Sequence, residues 1–205
     1  MASSALQTGI ITFLLSYLGI HLSSAVGLQL LLWRGWVYRK THEGFQKTAV
    51  IIAIGGGIAV SMVIIALDRL YFFPNIPQLA QLQAPEFSRW IGLTTIFYGG
   101  IVEELQVRLG LMTFCVWLFY RLLGKKTSSW MFMIAILLTS LLFGLLHLPA
   151  TAQALGELSP MIVLRGIVLN SLGGLLFGWL YWKKGLEYAM IAHLTADLML
   201  HVIFS

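Results

Sequence analysis

The sequence predicts an all-α fold, a polytopic transmembrane helical bundle of about six spanning helices, and three observations carry the prediction. Hydrophobic residues make up 59% of the 205 and charged residues only 10%, whereas soluble domains are roughly 25% charged. Mean hydropathy is +0.86. The apolar residues also gather into six runs, each longer than the roughly 18 residues that favour a spanning helix over a buried strand. Residues 1–205 are read as one integral membrane domain, with no length to spare for a soluble one.

The first run, about 5 to 33, follows an opening Met-Ala-Ser-Ser without a basic leader and is read as a retained helix, not a signal peptide. The second, about 47 to 68, holds Gly55, Gly56 and Gly57, small residues that let helix backbones approach closely. The link from Tyr71 to Arg89 contains Pro74, Pro77 and Pro85 and suits a surface or re-entrant segment over a site. The third run, about 89 to 121, carries Gly99-Gly100 and then Glu103, Glu104 and Arg108. The fourth, about 128 to 148, closes on His147-Leu148-Pro149, and the fifth, about 160 to 182, carries Gly173, Gly174 and Gly178. The last, about 186 to 204, carries His193 and Asp197.

Basic residues are denser in alternate links: Arg34, Arg39, Lys40 and Lys47 in the first, Arg121, Lys125 and Lys126 in the third, Lys183 and Lys184 in the fifth. The positive-inside rule then puts those links in the cytoplasm and both termini outside. The net charge of +5 is scattered between apolar runs, which fits a lipid bilayer partner and no nucleic acid. The single Cys115 excludes a disulfide framework or cysteine zinc cluster within the chain.

Ionisable groups inside a membrane are expensive and mark function by default. Glu104 and Arg108, acid first and four apart, can neutralise each other within one helix. On an α-helix Glu103 points about 100° away from Glu104. It has no basic partner on its own helix, which leaves a carboxylate free for general base or acid work. His193 and Asp197 share a face at spacing four, with Met190 and His201 extending it and His201 read as interfacial. Two histidines with one or two carboxylates satisfy a zinc site that keeps a position open for water, with Glu103, His147, His193 and Asp197 as ligands. They serve equally for metal-free hydrolysis, with Glu103 activating water and imidazoles donating to an oxyanion. Spacing does not separate the two.

Taken together, Glu103-Glu104-x-x-x-Arg108, Phe143-x-x-x-His147 and His193-x-x-x-Asp197 resemble the three motifs of the CAAX protease and bacteriocin-processing family of intramembrane proteases. Gly173-Gly174-Leu175-Leu176-Phe177-Gly178-Trp179-Leu180-Tyr181 and Lys183-Lys184-Gly185-Leu186 extend the likeness, which spans about 89 to 201. It implies water activation by Glu103 with His147, substrate or oxyanion contacts from His193 and Asp197, and support from Glu104 and Arg108. Two departures stand out. Asp197 occupies a position usually Asn in the eukaryotic enzymes, and Leu109 replaces a glycine that often follows the arginine, with Gly110 one place later. An ionised Asp197 accepts but cannot donate, so it is a protonated donor, an orienter of His193 or a metal ligand.

The expected activity is an intramembrane endopeptidase acting on a peptide, a bacteriocin precursor or a membrane-protein segment in a bacterial inner membrane. Its site is expected among the third to sixth helices. Two rival readings use the same residues: a noncatalytic immunity or scaffold protein, in which Glu103 is dispensable, and a small ion or proton transporter. One geometric difficulty is visible in advance. On upright helices starting at one level, His147 and Glu103 lie about 27 to 28 Å above the cytoplasmic ends and His193 only about 12 Å.

Overall fold

A computed structural model describes residues 2–31, 35, 46–80 and 94–204. Among these the chain is helical and contains no strand. Helix α1 is Ala2–Val26, and α2 is Lys47–Leu67, continued by a wider π-wound turn, Asp68–Phe72, and Phe73–Asn75. A short α3, Pro77–Ala80, follows. Helix α4 runs over 94–122, π-wound through Tyr98–Met112 and α-helical through Thr113–Leu122. Ser129–Leu146 is α5, Leu148–Leu155 is α6, Pro160–Lys183 is α7, and Leu186–Leu198 is α8, which ends in a π-wound turn, Met199–Ile203.

Five helical segments among the described residues are long and apolar enough to cross a membrane: Ala5–Val26, Lys47–Asn75, Ser129–Leu155, Pro160–Lys183 and Leu186–Ile203. Helix α4 has the length of a sixth. It carries the acid pair and Arg108, the charges that set it apart from the other five. Leucine, isoleucine and phenylalanine side chains stand exposed along these rods, such as Leu6, Phe13, Ile51 and Leu137. In a bilayer those faces meet lipid, so the chain is an integral membrane protein.

Two boundaries differ from the sequence reading. Helix α1 stops at Val26, not near 33, because Gly27 turns the backbone to a φ of 77°, the left-handed conformation that ends helices. Leu28 and Leu30 beyond it are apolar because they are buried in the core, not because they span. Helix α2 overruns Tyr71, so the Pro-rich link begins later. Its remainder, residues 81–93, lies outside the described residues, as do Arg34, Arg39 and Lys40 of the first link.

Glycine sets the packing. Gly144 lies on the backbone of Ile167, Gly174 on Ser140 and Gly178 on Ile136, which holds α5 and α7 together as antiparallel neighbours. Gly57 of α2 faces the Ala192 carbonyl of α8, and Gly19 of α1 the Leu109 carbonyl of α4. A methyl group at any of these positions would push two helices apart. Helix α8 starts inside the bundle: Leu186, Glu187 and Tyr188 are buried, and the Leu186 N–H donates to the Gln29 carbonyl at 3.2 Å.

Candidate active site

The geometry begins with α4. The backbone N–H of Thr113 reaches the carbonyl of Arg108, five residues back, the bond that defines π winding. Such winding is usually confined to single turns at functional sites, and here it extends over both glutamates and the arginine.

Arg108 and Glu104 form the deepest tier, both fully buried, with Nε 3.5 Å from Oε2. The pair expected from spacing is present. The guanidinium also donates from Nη2 to the Gly174 carbonyl at 3.4 Å and lies 5.1 Å and 5.7 Å from the ring centres of Phe143 and Phe177. Aromatic faces and one carboxylate thus stabilise a charge that hydrocarbon alone would not accept.

Above it stands His193. Its Nδ1 is 2.9 Å from Glu104 Oε1. Glu104, paired with a guanidinium, is a carboxylate and only accepts, so Nδ1 carries the proton. Phe177 stacks on the imidazole at 4.3 Å and Phe143 meets it edge-on at 5.9 Å. The ring is fixed with Nε2 turned toward Glu103 Oε2 at 3.9 Å and Asp197 Oδ1 at 3.6 Å.

His147 approaches from the other side. Pro149 sits in the first turn of α6 and His147 caps the end of α5, so the imidazole stands at the junction between the two. Its Nδ1 lies 2.8 Å from the Phe143 carbonyl, which can only accept, so this nitrogen too carries a proton. Nε2 is left 3.8 Å from Glu103 Oε1. Both histidines are therefore held through Nδ1, and their Nε2 atoms face the two oxygens of one carboxylate. Separations of 3.8 and 3.9 Å are too long for direct bonds and the right width for a shared water.

Glu103, His147, His193 and Asp197 all line one cavity of about 460 Å³. Glu104 and Arg108 do not reach it and act from beneath. Gly99 makes room on α4: a Cβ there would collide with Asp197 Oδ2 and come within 3.1 Å of His193 Nε2. The cavity extends beyond the third to sixth helices, since Ile64 and Asp68 of α2 also line it. His201, read as interfacial, lines it as well. So do two polar residues of α7 that sequence reasoning passed over. Arg165 holds Asp68 bidentately at 2.6 and 2.7 Å, and Asn170 faces the cavity one turn further along. Both sit inside an apolar run, and the partner of Arg165 lies 97 residues away. Their polarity within a spanning helix was the available signal.

The donor set is chemically that of a zinc site, but its spacing is open. Zinc holds nitrogen and oxygen donors at about 2.0 to 2.2 Å, which puts tetrahedral neighbours roughly 3.3 to 3.5 Å apart. The Nε2-to-carboxylate separations are 3.6, 3.8 and 3.9 Å. No three His, Cys, Asp or Glu side chains among the described residues gather closely enough to hold one ion.

Comparison with known proteins agrees with this arrangement of motifs. Residues 85–199 match the family described as type II CAAX prenyl endopeptidase Rce1-like. No curated protein and no solved structure gives a match. The matched segment covers more than half of the chain and contains Glu103, Glu104, Arg108, His147, His193 and Asp197, and on that ground the chain belongs to the Rce1-like family of intramembrane proteases.

Proposed function

We propose that this chain is an intramembrane endopeptidase that hydrolyses a peptide bond with a water activated by Glu103 and His147. The observation that carries the reading is the placement of Glu103 between two imidazoles whose Nδ1 atoms are already engaged, at the wall of a cavity large enough for a short peptide segment. A water between Glu103 Oε1 and His147 Nε2 gives its proton to Glu103 as its oxygen attacks the scissile carbonyl carbon. The carbonyl π pair moves onto oxygen. When the tetrahedral species collapses, the C–N bond breaks and the proton held by Glu103 passes to the amine leaving group.

His193 with a second proton on Nε2 is an imidazolium that donates to the oxyanion, while Glu104 fixes its ring and Arg108 fixes Glu104. Asp197, 3.6 Å from the same nitrogen, orients it and balances its charge. The substrates are peptides or membrane-protein segments that reach the cavity from the bilayer. No step as written requires a metal.

Purified protein in liposomes is tested against a panel of quenched-fluorescence peptides, with and without a prenylated cysteine near the carboxyl end. Wild type cleaves at least one of them, and Glu103→Gln, which keeps volume and hydrogen bonding, abolishes turnover. Cleavage by Glu103→Gln at the wild-type rate would remove Glu103 from the chemistry. Inactivation by chelator with recovery on added zinc would replace the metal-free route with a zinc-dependent one.

A further inference from the structure

The reaction puts negative charge on the carbonyl oxygen of the substrate, and the cavity holds few groups able to donate to it. Asp197, when ionised, only accepts. The Thr151 hydroxyl donates to the His147 carbonyl at 3.0 Å. Arg165 spends Nε and Nη2 on Asp68. Beside His193, the carboxamide of Asn170 is a neutral donor that the wall presents from α7, as the His201 imidazole is from the end of α8.

Its orientation is fixed. Nδ2 is 2.8 Å from the Gly166 carbonyl on the same helix. That acceptor requires the nitrogen there and leaves its second N–H free. Gly166 and Gly173, one turn to either side, line the same cavity, so no neighbouring side chain on that face covers the amide. The height is also set. Gly178 lies on Ile136, Gly174 on Ser140 and Gly144 on Ile167, which brings Phe143 level with Leu169 and Asn170. The Phe143 ring lies against both His147, at 4.5 Å, and His193, at 5.9 Å. Asn170 therefore stands at the level of Glu103, on the wall that α7 contributes.

We propose that Asn170 is a catalytic residue of this site, a second oxyanion donor that supplies from α7 the neutral N–H that Asp197 does not. The inference rests on the hydrolytic reading above. A purely structural amide that only bonds back to its own helix predicts the opposite behaviour, because Ala there is the better helix former.

Asn170→Ala and Asn170→Asp are compared with wild type in liposomes, using whichever panel peptide is cleaved, with Glu103→Gln in parallel. Removing one oxyanion donor lowers kcat by about 100- to 1000-fold. KM is expected to stay within about threefold and the detergent melting temperature to be unchanged. Asn170→Asp, which keeps size but loses the donor, should fall as far as Asn170→Ala. A peptide phosphonate that mimics the tetrahedral oxygen should lose affinity in parallel with kcat, while the substrate does not. If Glu103→Gln is inactive and Asn170→Ala keeps kcat within threefold of wild type, this assignment fails and the hydrolytic reading stands. If Glu103→Gln is itself active, the hydrolytic reading fails first.

Discussion

Arg108→Ala tests the deepest tier. Arg108 is fully buried and is the cation within 4 Å of Glu104 Oε2; the other oxygen keeps only the His193 Nδ1 bond at 2.9 Å. Removing one partner of a buried pair leaves an uncompensated charge and costs about 3 to 5 kcal/mol. The ring contacts to Phe143 and Phe177 are lost with it, at about 1 kcal/mol each. The His193 bond, present in both proteins, holds the first loss to the low end of its range, so the total is about 5 kcal/mol. For a chain of this size that shifts melting by roughly 10 to 20 °C. Thermal melting in detergent, followed by tryptophan emission, reads it. The control is Glu104→Gln/Arg108→Met, which removes both charges and should recover most of the lost stability. An Arg108→Ala protein that melts within about 2 °C of wild type would refute the claim that this arginine neutralises a buried carboxylate.

Three further expectations follow from the geometry. Gly99→Ala adds a methyl group where Asp197 Oδ2 and His193 Nε2 already lie; kcat should fall at least 10-fold with melting within a few degrees, and normal turnover would show that the two side chains can retreat freely. Asp68→Ala leaves the part-buried Arg165 without its two charged hydrogen bonds; a loss of about 1 to 3 kcal/mol is expected, regained largely by Arg165→Leu in the same background, and an unchanged melting curve for Asp68→Ala would make the pair ornamental. Single cysteines at Lys125 and Ser205, in a background lacking Cys115, should label from opposite sides of intact cells, the first from the cytoplasm; labelling from one side would reverse the parity of the spans.

What could be read in advance followed from local periodicity. Long apolar runs bounded by bases gave the spans, and the i, i+4 spacing gave Glu104 with Arg108 and His193 with Asp197, because neighbours on one helix are fixed by its pitch. What could not be read was set by contacts between distant segments. Arg165 looks like a flaw in an apolar run until Asp68 is placed beside it. Asn170 acquires a role only when Phe143 fixes its height. The π winding of α4 has no signature in the residues that adopt it. The end of α1 was missed because Leu28 and Leu30 are as hydrophobic as spanning residues, although Gly27 supplied a helix stop. The expected height mismatch treated the helices as upright rods from one level, whereas Glu103, His147, His193 and Asp197 line one cavity.

The buried beginning of α8 has a further meaning for how the site is built. The first residues of α8 hang from the segment after α1: Leu186 N–H is bonded to the Gln29 carbonyl, and the Tyr188 hydroxyl takes the N–H of Gln46 at 2.7 Å, just ahead of α2. Gly57 then seats Ala192 one residue before His193. Helices α1 and α2, which lie outside the matched segment, thus form the berth for α8. With α8 seated there, His193 and Asp197 line the same cavity as Glu103. A fragment restricted to residues 85–199 would carry Glu103, His147, His193 and Asp197 and lack the slot that aligns two of them.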